Sequence, residues 1–163
     1  MNEQQPVHDV AKLRGVFRVQ ILENGEVKGD SGWCENKITD TGDQHYLVEN
    51  LYGGANSKRV THLAIGTGTA PDATHTVLAG ELSTGTAGRP AVNASVVASK
   101  TAQFTCQFGS ATYSSRGSSH AISNLGLFHS SSGGTIFAGN TYTSSQWNTS
   151  QDVNATYQVQ FPN

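Results

Sequence analysis

The stretch at residues 153–161 reads V-N-A-T-Y-Q-V-Q-F and decides the fold class. Apolar residues occupy every second position, and Asn, Thr and Gln fill the positions between them. Because successive side chains of a strand point to opposite faces, this alternation predicts a β-strand with one face in the core and the other in solvent. Residues 100–108, K-T-A-Q-F-T-C-Q-F, alternate in the same way and predict a second half-buried strand.

Working outward from these two runs, strand patterns recur at short spacing along the chain. Residues 15–22 alternate and lead into Asn24-Gly25, a pair that favours the left-handed conformations of a tight hairpin turn. Further strands are predicted at residues 33–38, 60–65, 91–98, 120–129 and 135–142. About eight short strands predict a mainly β fold: an antiparallel two-sheet β-sandwich, jelly-roll-like, formed by residues 14–163 as a single domain.

One segment, at residues 40–52, changes period. Leu47, Val48 and Leu51 recur at helical spacing and are expected to share one face. Asp40 is placed as an N-cap, and Gly53-Gly54 can end the helix in a left-handed conformation. The sequence therefore predicts one short helix in an otherwise β domain.

Residues 1–13 show neither alternation nor a helical period, and Pro6 discourages both helix and ladder pairing. We expect an extended N-terminal arm. A polar arm of this kind gains order where another chain supplies its contacts, because ordering each residue has an entropic cost.

The composition limits the classes of partner. Only 13% of residues are charged and the formal net charge is −2, so the chain has no basic field to attract nucleic acid. No signal-peptide pattern opens the sequence and no stretch approaches 18 apolar residues, so no membrane partner is expected. Cys34 and Cys106 lie in separate strand-like runs and are expected to remain free thiols.

Four kinds of chemical site were considered, and none is expected. The G-T-G-T-A-P segment at residues 66–71 lacks the Gly-Lys-Ser/Thr ending of a phosphate loop. The six histidines show no zinc-type spacing, and the chain has no G-x-S-x-G nucleophile elbow for a hydrolase. The stretch at residues 82–151 has no acid at all, which disfavours paired catalytic carboxylates. The sequence thus predicts no enzyme, no metal and no cofactor. The six histidines are His8, His45, His62, His75, His120 and His129.

Two segments resemble proteins of tailed-bacteriophage virions. Residues 62–82 read H-L-A-I-G-T-G-T-A-P-D-A-T-H-T-V-L-A-G-E-L, and residues 121–161 contain I-S-N-L-G-L-F-H followed by G-G-T-I-F-A-G-N-T-Y. The resemblance covers about two thirds of the chain when the helix at residues 42–51 is included. It implies a structural protein located in the virion and assembled in the host cytoplasm. Within that class, a short jelly-roll chain is expected to be a capsid decoration, or cement, protein that binds the major capsid protein on the outer capsid surface and stabilises the shell.

Further expectations concern assembly and alternative roles. The stretch at residues 87–151, which has no acid, can be buried between subunits at little electrostatic cost, so a homo-oligomer, a trimer, is expected. A tail, baseplate or fibre-associated virion component is an alternative, since the same motifs occur there. A carbohydrate-binding β-sandwich is a second alternative. In it, sugar rings would stack on Trp33, Trp147 and either Tyr142 or Tyr157.

Overall fold

The computed structural model describes residues 13–82, 89–110 and 119–161, and these residues form ten strands and one helical segment. The predicted arm at residues 1–13 falls, apart from Leu13, outside the described residues. The strands are β1 (Arg14–Glu23), β2 (Glu26–Asp30), β3 (Cys34–Glu35), β4 (Lys37–Ile38), β5 (His62–Gly66), β6 (Asn93–Ala98), β7 (Thr101–Phe108), β8 (His120–Phe128), β9 (Ile136–Trp147) and β10 (Asp152–Gln160).

The strands form two antiparallel sheets that pack face to face. Sheet A has the order β2-β1-β10-β7-β6, with β3 pairing beside β2 on β1, and sheet B has the order β4-β9-β8-β5. The first and last of these strands pair at the centre of sheet A, from Arg14 opposite Gln160 to Leu22 opposite Asp152. The predicted two-sheet β-sandwich with a short helix is confirmed.

The core consists of the inward-facing residues of both sheets. The alternation that predicted β10 is confirmed, because Val153, Ala155, Tyr157 and Val159 are all buried. The Tyr157 ring stacks on Phe17 of β1 with 6.1 Å between centroids. Fully burying one large apolar side chain stabilises the fold by about 1.5–3 kcal/mol, so this central face contributes much of the driving force.

Two strand predictions needed correction. The predicted strand at 33–38 divides, with β3 pairing β1 in sheet A and β4 pairing β9 in sheet B. β9 continues to Trp147, five residues beyond the end of the predicted strand at 135–142. Thr143, Ser144 and Ser145 hide the strand from a hydrophobicity pattern, but the strand continues through them, and residues 145–147 pair with the start of β8. The hairpin turn at Asn24-Gly25 is confirmed, since both residues have positive φ angles.

The helical segment at residues 40–52 is continuous but changes type. It consists of α1 (Asp40–Gly42), a π-helical stretch (Asp43–Val48) and α2 (Glu49–Tyr52). Its N-cap is Thr39 and not the predicted Asp40: the Thr39 Oγ1 accepts a hydrogen bond from the Gly42 amide at 2.9 Å and donates one to the Ile136 carbonyl at 2.8 Å. Gly53 ends the segment with φ 69°, as predicted.

The π-helical stretch explains why the predicted apolar face is wrong. A π-turn is wider than an α-turn, so residues that would share a face of an α-helix fall out of phase. Tyr46 is buried with its ring 5.0 Å from that of Phe137, and Leu47 is half-buried. Val48 is instead half-exposed, and Leu51 is 89% exposed. The segment therefore presents apolar side chains on two sides, one against the core and one to solvent.

We expect the substitution Leu51→Ser to change the free energy of unfolding by less than about 0.5 kcal/mol, because the exposed Leu51 side chain makes almost no contact with the core. The matched substitution Tyr46→Ala should cost about 3 kcal/mol through the lost ring contacts and the cavity. Urea unfolding of the purified variants measures both values. A large loss for Leu51→Ser would contradict the described phase of the helical segment.

Candidate interaction surface

The motifs that carry the resemblance meet in space around one buried side chain. Asn124, the Asn of I-S-N-L-G on β8, is fully buried. Its Nδ2 donates to the Thr69 carbonyl at 3.1 Å and to the Ala79 carbonyl at 2.9 Å. Because one amide binds both the G-T-G-T loop and the L-A-G-E-L segment, these distant stretches form a single unit on the end of sheet B. The contacts of Asn124 hold two backbone segments together.

The glycines of the G-T-G-T loop serve close packing. A Cβ on Gly66 would lie 2.5 Å from the Asn124 Oδ1, and a Cβ on Gly68 would collide with the Ala79 carbonyl. The loop amide of Thr67 donates to the Gly80 carbonyl at 3.0 Å and so faces protein. The loop is thus shaped around the Ala79-Gly80 backbone, which accounts for its glycines without a phosphate.

A buried arginine secures the same unit from the other side. The Arg89 guanidinium binds Glu81 with two hydrogen bonds, of 2.7 and 2.8 Å, and donates to the Gly133 carbonyl at 2.5 Å. It also lies 3.4 Å above the centroid of the Phe128 ring. A bidentate carboxylate, a carbonyl and an aromatic face together satisfy the charge, which is what a buried arginine requires. Glu81, the acid of the E-L pair, therefore has a structural partner.

The described histidines are dispersed over the molecule. His120 and His129 lie at opposite ends of β8, and His75 pairs with Asp72 in an exposed turn. His45 binds the buried carboxylate of Glu49 at 2.8 Å within the helical segment. Across the described ranges 13–82, 89–110 and 119–161, no three His, Cys, Asp or Glu side chains gather as metal ligands. His8 lies outside the described residues.

His129 contacts a core tyrosine, Tyr46. The Tyr46 hydroxyl donates to the Thr135 carbonyl at 2.6 Å, so its oxygen is left to accept from the His129 Nδ1, 3.1 Å away. Burial, and then the positive charge of Lys58, lower the pKa of His129. Burial raises the pKa of Tyr46 to about 12. The contact is therefore made by a neutral imidazole and a neutral phenol.

Both cysteines are free thiols, as expected. Cys106 is buried on β7 opposite Ala155 of β10, and burial raises its pKa to about 12. A thiol held protonated in a sheet interior is a poor nucleophile.

The aromatic residues considered for sugar binding do not form a common platform. Trp147, Tyr142 and Tyr157 are buried in the core, and the Trp147 indole donates to the Gln151 carbonyl at 2.6 Å. Trp33 is 52% exposed and lies in the loop between β2 and β3. A ring can stack on a sugar only with a free face, so three of the four candidates are excluded from that role by their burial.

An open apolar groove of about 360 Å³ lies where the helical segment faces the inner side of sheet A. Its lining residues come from the helical segment and the turn after it, from β6, β7 and β10, and from β9. They include Lys58 and Arg59 but no acidic side chain. The lining residues are Tyr46, Leu47, Asn50, Lys58, Arg59, Val60, Ala94, Ala102, Phe104, Phe137, Val159 and Phe161.

The groove opens because sheet A is wider than sheet B. On the inner face of sheet A, Val159 of β10 lies beside Ala102 of β7, which lies beside Val96 of β6. Exposure rises along this row: Val159 is buried, Ala102 is half-buried and Val96 is 78% exposed. Strand β6 therefore overhangs the opposite sheet, and we call its residues, Asn93–Ala98, the overhanging strand.

The overhanging strand is the feature that sequence reasoning missed. The pattern at residues 91–98 predicts an ordinary strand, and A-S-V-V-A gives no sign of full exposure. Every residue of β6 is exposed. Which strand of a sandwich lies at an uncovered edge depends on the order of the strands, and that order is not written in any one segment.

The chain was compared with known proteins in three ways. It matches no protein-family model, no curated protein and no solved structure. No helix in the described part of the chain is long and apolar enough to span a membrane.

We expect the substitution Asn124→Ala to lower the free energy of unfolding by about 2–4 kcal/mol, because it leaves the Thr69 and Ala79 carbonyls without their donor. The control is Asn140→Ala at a more exposed site, which removes the 2.9 Å hydrogen bond to the Glu35 carbonyl and the 2.8 Å bond that the Asn140 Oδ1 accepts from the Thr141 amide. That control should cost no more than about 1 kcal/mol. Equal losses in chemical denaturation would show that Asn124 does not organise the unit.

Acidification should destabilise the protein through His129. Its pKa is lower in the folded state than in the unfolded state, so the unfolded chain binds more protons as the pH falls through about 6.5. Between pH 7 and pH 5, we expect the thermal midpoint of the parent to fall by a few degrees more than that of His129→Asn. Asn is chosen because its side-chain amide can still donate a hydrogen bond to the Tyr46 hydroxyl. His75→Asn, which alters an exposed histidine, is the control. An unchanged pH profile for His129→Asn would contradict the prediction.

Proposed function

We propose that this protein is a structural component of a bacteriophage virion, a capsid decoration protein that binds the outer capsid surface and stabilises it. The observation that carries the proposal is the overhanging strand with the apolar groove beside it. Large apolar side chains exposed at a sheet edge are characteristic of a surface that another protein covers. The phage resemblance supplies the class of that other protein.

The polarity of the surface supports the same proposal. The described residues from 89 to 151 carry no acid, and the exposed residues of β9 are Thr143, Ser144 and Gln146. Hydroxyl and amide groups can exchange water for hydrogen bonds to a neighbour without the cost of stripping water from charges. A protein that covers a capsid at many equivalent positions benefits from such a surface, and homo-oligomerisation on the shell follows from it.

The Asn124 unit supports the assignment in a second way. The residues that carry the resemblance, Gly66, Gly68, Glu81 and Asn124, all make contacts that shape the end of sheet B. Motif residues with structural contacts of this kind specify a fold, and a shared fold is what we expect of related virion components.

A tail, baseplate or fibre-associated position is the alternative, because the same motifs and the same uncovered strand would serve there. The carbohydrate-binding alternative has weaker support, since Trp33 is the one exposed ring among its four candidates.

The test is the location of the protein on intact particles. Antibodies raised against the purified chain are applied, with a gold label, to phage particles purified from lysates of the host that carries the gene. We expect label over the heads, and recombinant protein added to particles stripped of it should restore both binding and resistance to heating. Label confined to tails would establish the alternative, and particles without the protein would overturn the virion assignment.

A further inference from the structure

The four lateral edges of the two sheets differ in how they are protected. The unpaired edge of a strand presents N–H and C=O groups that can pair with another chain, and proteins usually block it with charges, short strands or covering segments. In sheet B, β4 has two residues and runs directly into the helical segment. The other edge, β5, is covered by two segments of the same chain. The Leu82 amide donates to the Ile65 carbonyl and the Val92 amide donates to the Thr61 carbonyl, both at 2.9 Å.

The two edges of sheet A contrast with each other. At one edge, β2 carries Glu26, Lys28 and Asp30, and its pairing to β1 is interrupted by a register shift. At the other edge, the overhanging strand reads N-A-S-V-V-A, with no charge and no proline. No strand within the described residues pairs with the outer side of β6. Among the described residues, one edge of the four is therefore uncharged, largely apolar and unpaired.

We propose that the outer edge of β6 pairs with β6 of a second copy of this chain, antiparallel and about a two-fold axis. The two sheets A would join into one continuous sheet across the contact. This inference goes beyond the virion assignment, because it concerns the contact between copies and is tested in solution, without particles.

The choice of a second copy rests on self-complementarity. An antiparallel strand pair can be isologous, so the same residues serve on both sides and the assembly closes. β6 brings no charge to such a contact, whereas a head-to-tail contact would place β6 against the charged strand β2. A two-fold contact closes at two copies, so the structure favours a dimer, or pairs of such dimers, over the trimer expected from the sequence.

The faces of the sheet restrict the register. Ala94 and Val96 lie on the inner face of sheet A, beside Phe104 and Ala102 of β7. This apolar face continues across both copies only if the two-fold axis is perpendicular to the sheet. Residues that face each other then have the same parity, because a shift of one residue would exchange the faces. Pairing in β6 is irregular between Val96 and Ala98. A ladder centred on Ser95, with Val96 opposite Ala94 of the partner, fits the regular part of the strand.

The first test compares lysine substitutions at the two edges of sheet A. Val96→Lys in the full chain would place two ammonium groups on the same face of the sheet at the contact between the copies, and the contact would bury part of each lysine side chain. Sedimentation of the purified protein up to about 100 µM should show a parent dimer, and Val96→Lys should weaken it at least about tenfold. Val27→Lys, on the charged edge at a valine that is 51% exposed, is the matched control and should leave the dimer intact.

Two further measurements keep the test decisive. The thermal midpoints of both lysine variants at low concentration should match that of the parent monomer, which separates lost pairing from lost folding. An equimolar mixture of Val96→Lys and Val96→Glu should recover the dimer that neither forms alone, since opposite charges then share the face. A parent that stays monomeric, a parent trimer, or a dimer insensitive to Val96→Lys would each overturn the proposal.

Discussion

The antiparallel pairing of β1 with β10 is the constraint from which the rest of the structure follows. It places the two most strongly alternating strands side by side at the centre of sheet A, with Phe17 stacked on Tyr157 beneath them. Once the ends of the described chain are joined there, β2 can extend the sheet only on one side and β7 with β6 only on the other. The overhang of β6 beyond sheet B is thus a consequence of strand order, and the exposed edge follows from the central pair.

Asn124 performs the corresponding task in sheet B. Its amide holds the loop after β5 against the segment that covers the outer edge of β5, so one buried polar side chain both closes the end of the sandwich and protects a sheet edge. Its Oδ1 has no hydrogen-bond partner among the described residues, and a Cβ on Gly66 would contact that oxygen. The site is packed so closely that a side chain at position 66 cannot be accommodated.

The strands could be predicted wherever alternation and burial coincide. Residues 153–159 fulfil the pattern at every position because both neighbours of β10 and the opposite sheet cover them. The end of β9 was missed because the polar side chains at residues 143–146 do not mark a buried face, although residues 145–147 pair with β8. The exposure of Leu51 was missed because a π-turn changes the angular spacing of side chains, and a hydrophobic pattern at α-helical spacing does not register this change. Local sequence records propensity, while the pairing of the end of β9 depends on its neighbour β8.

The interaction surface was less predictable than the fold for a related reason. An uncharged strand in the middle of a sheet and one at an edge have the same composition, and the difference between them lies in what the other strands leave uncovered. The charges of β2 show that this chain does carry edge protection where its sheet ends on that side. The absence of charge from β6 is the reason for the proposed contact with a second copy, because the described residues carry charges at one end of sheet A and none at the other. An uncharged strand edge that is exposed to water can pair with the edge strands of many other proteins. Pairing of β6 with β6 of a second copy would satisfy the exposed edges of both copies in one contact.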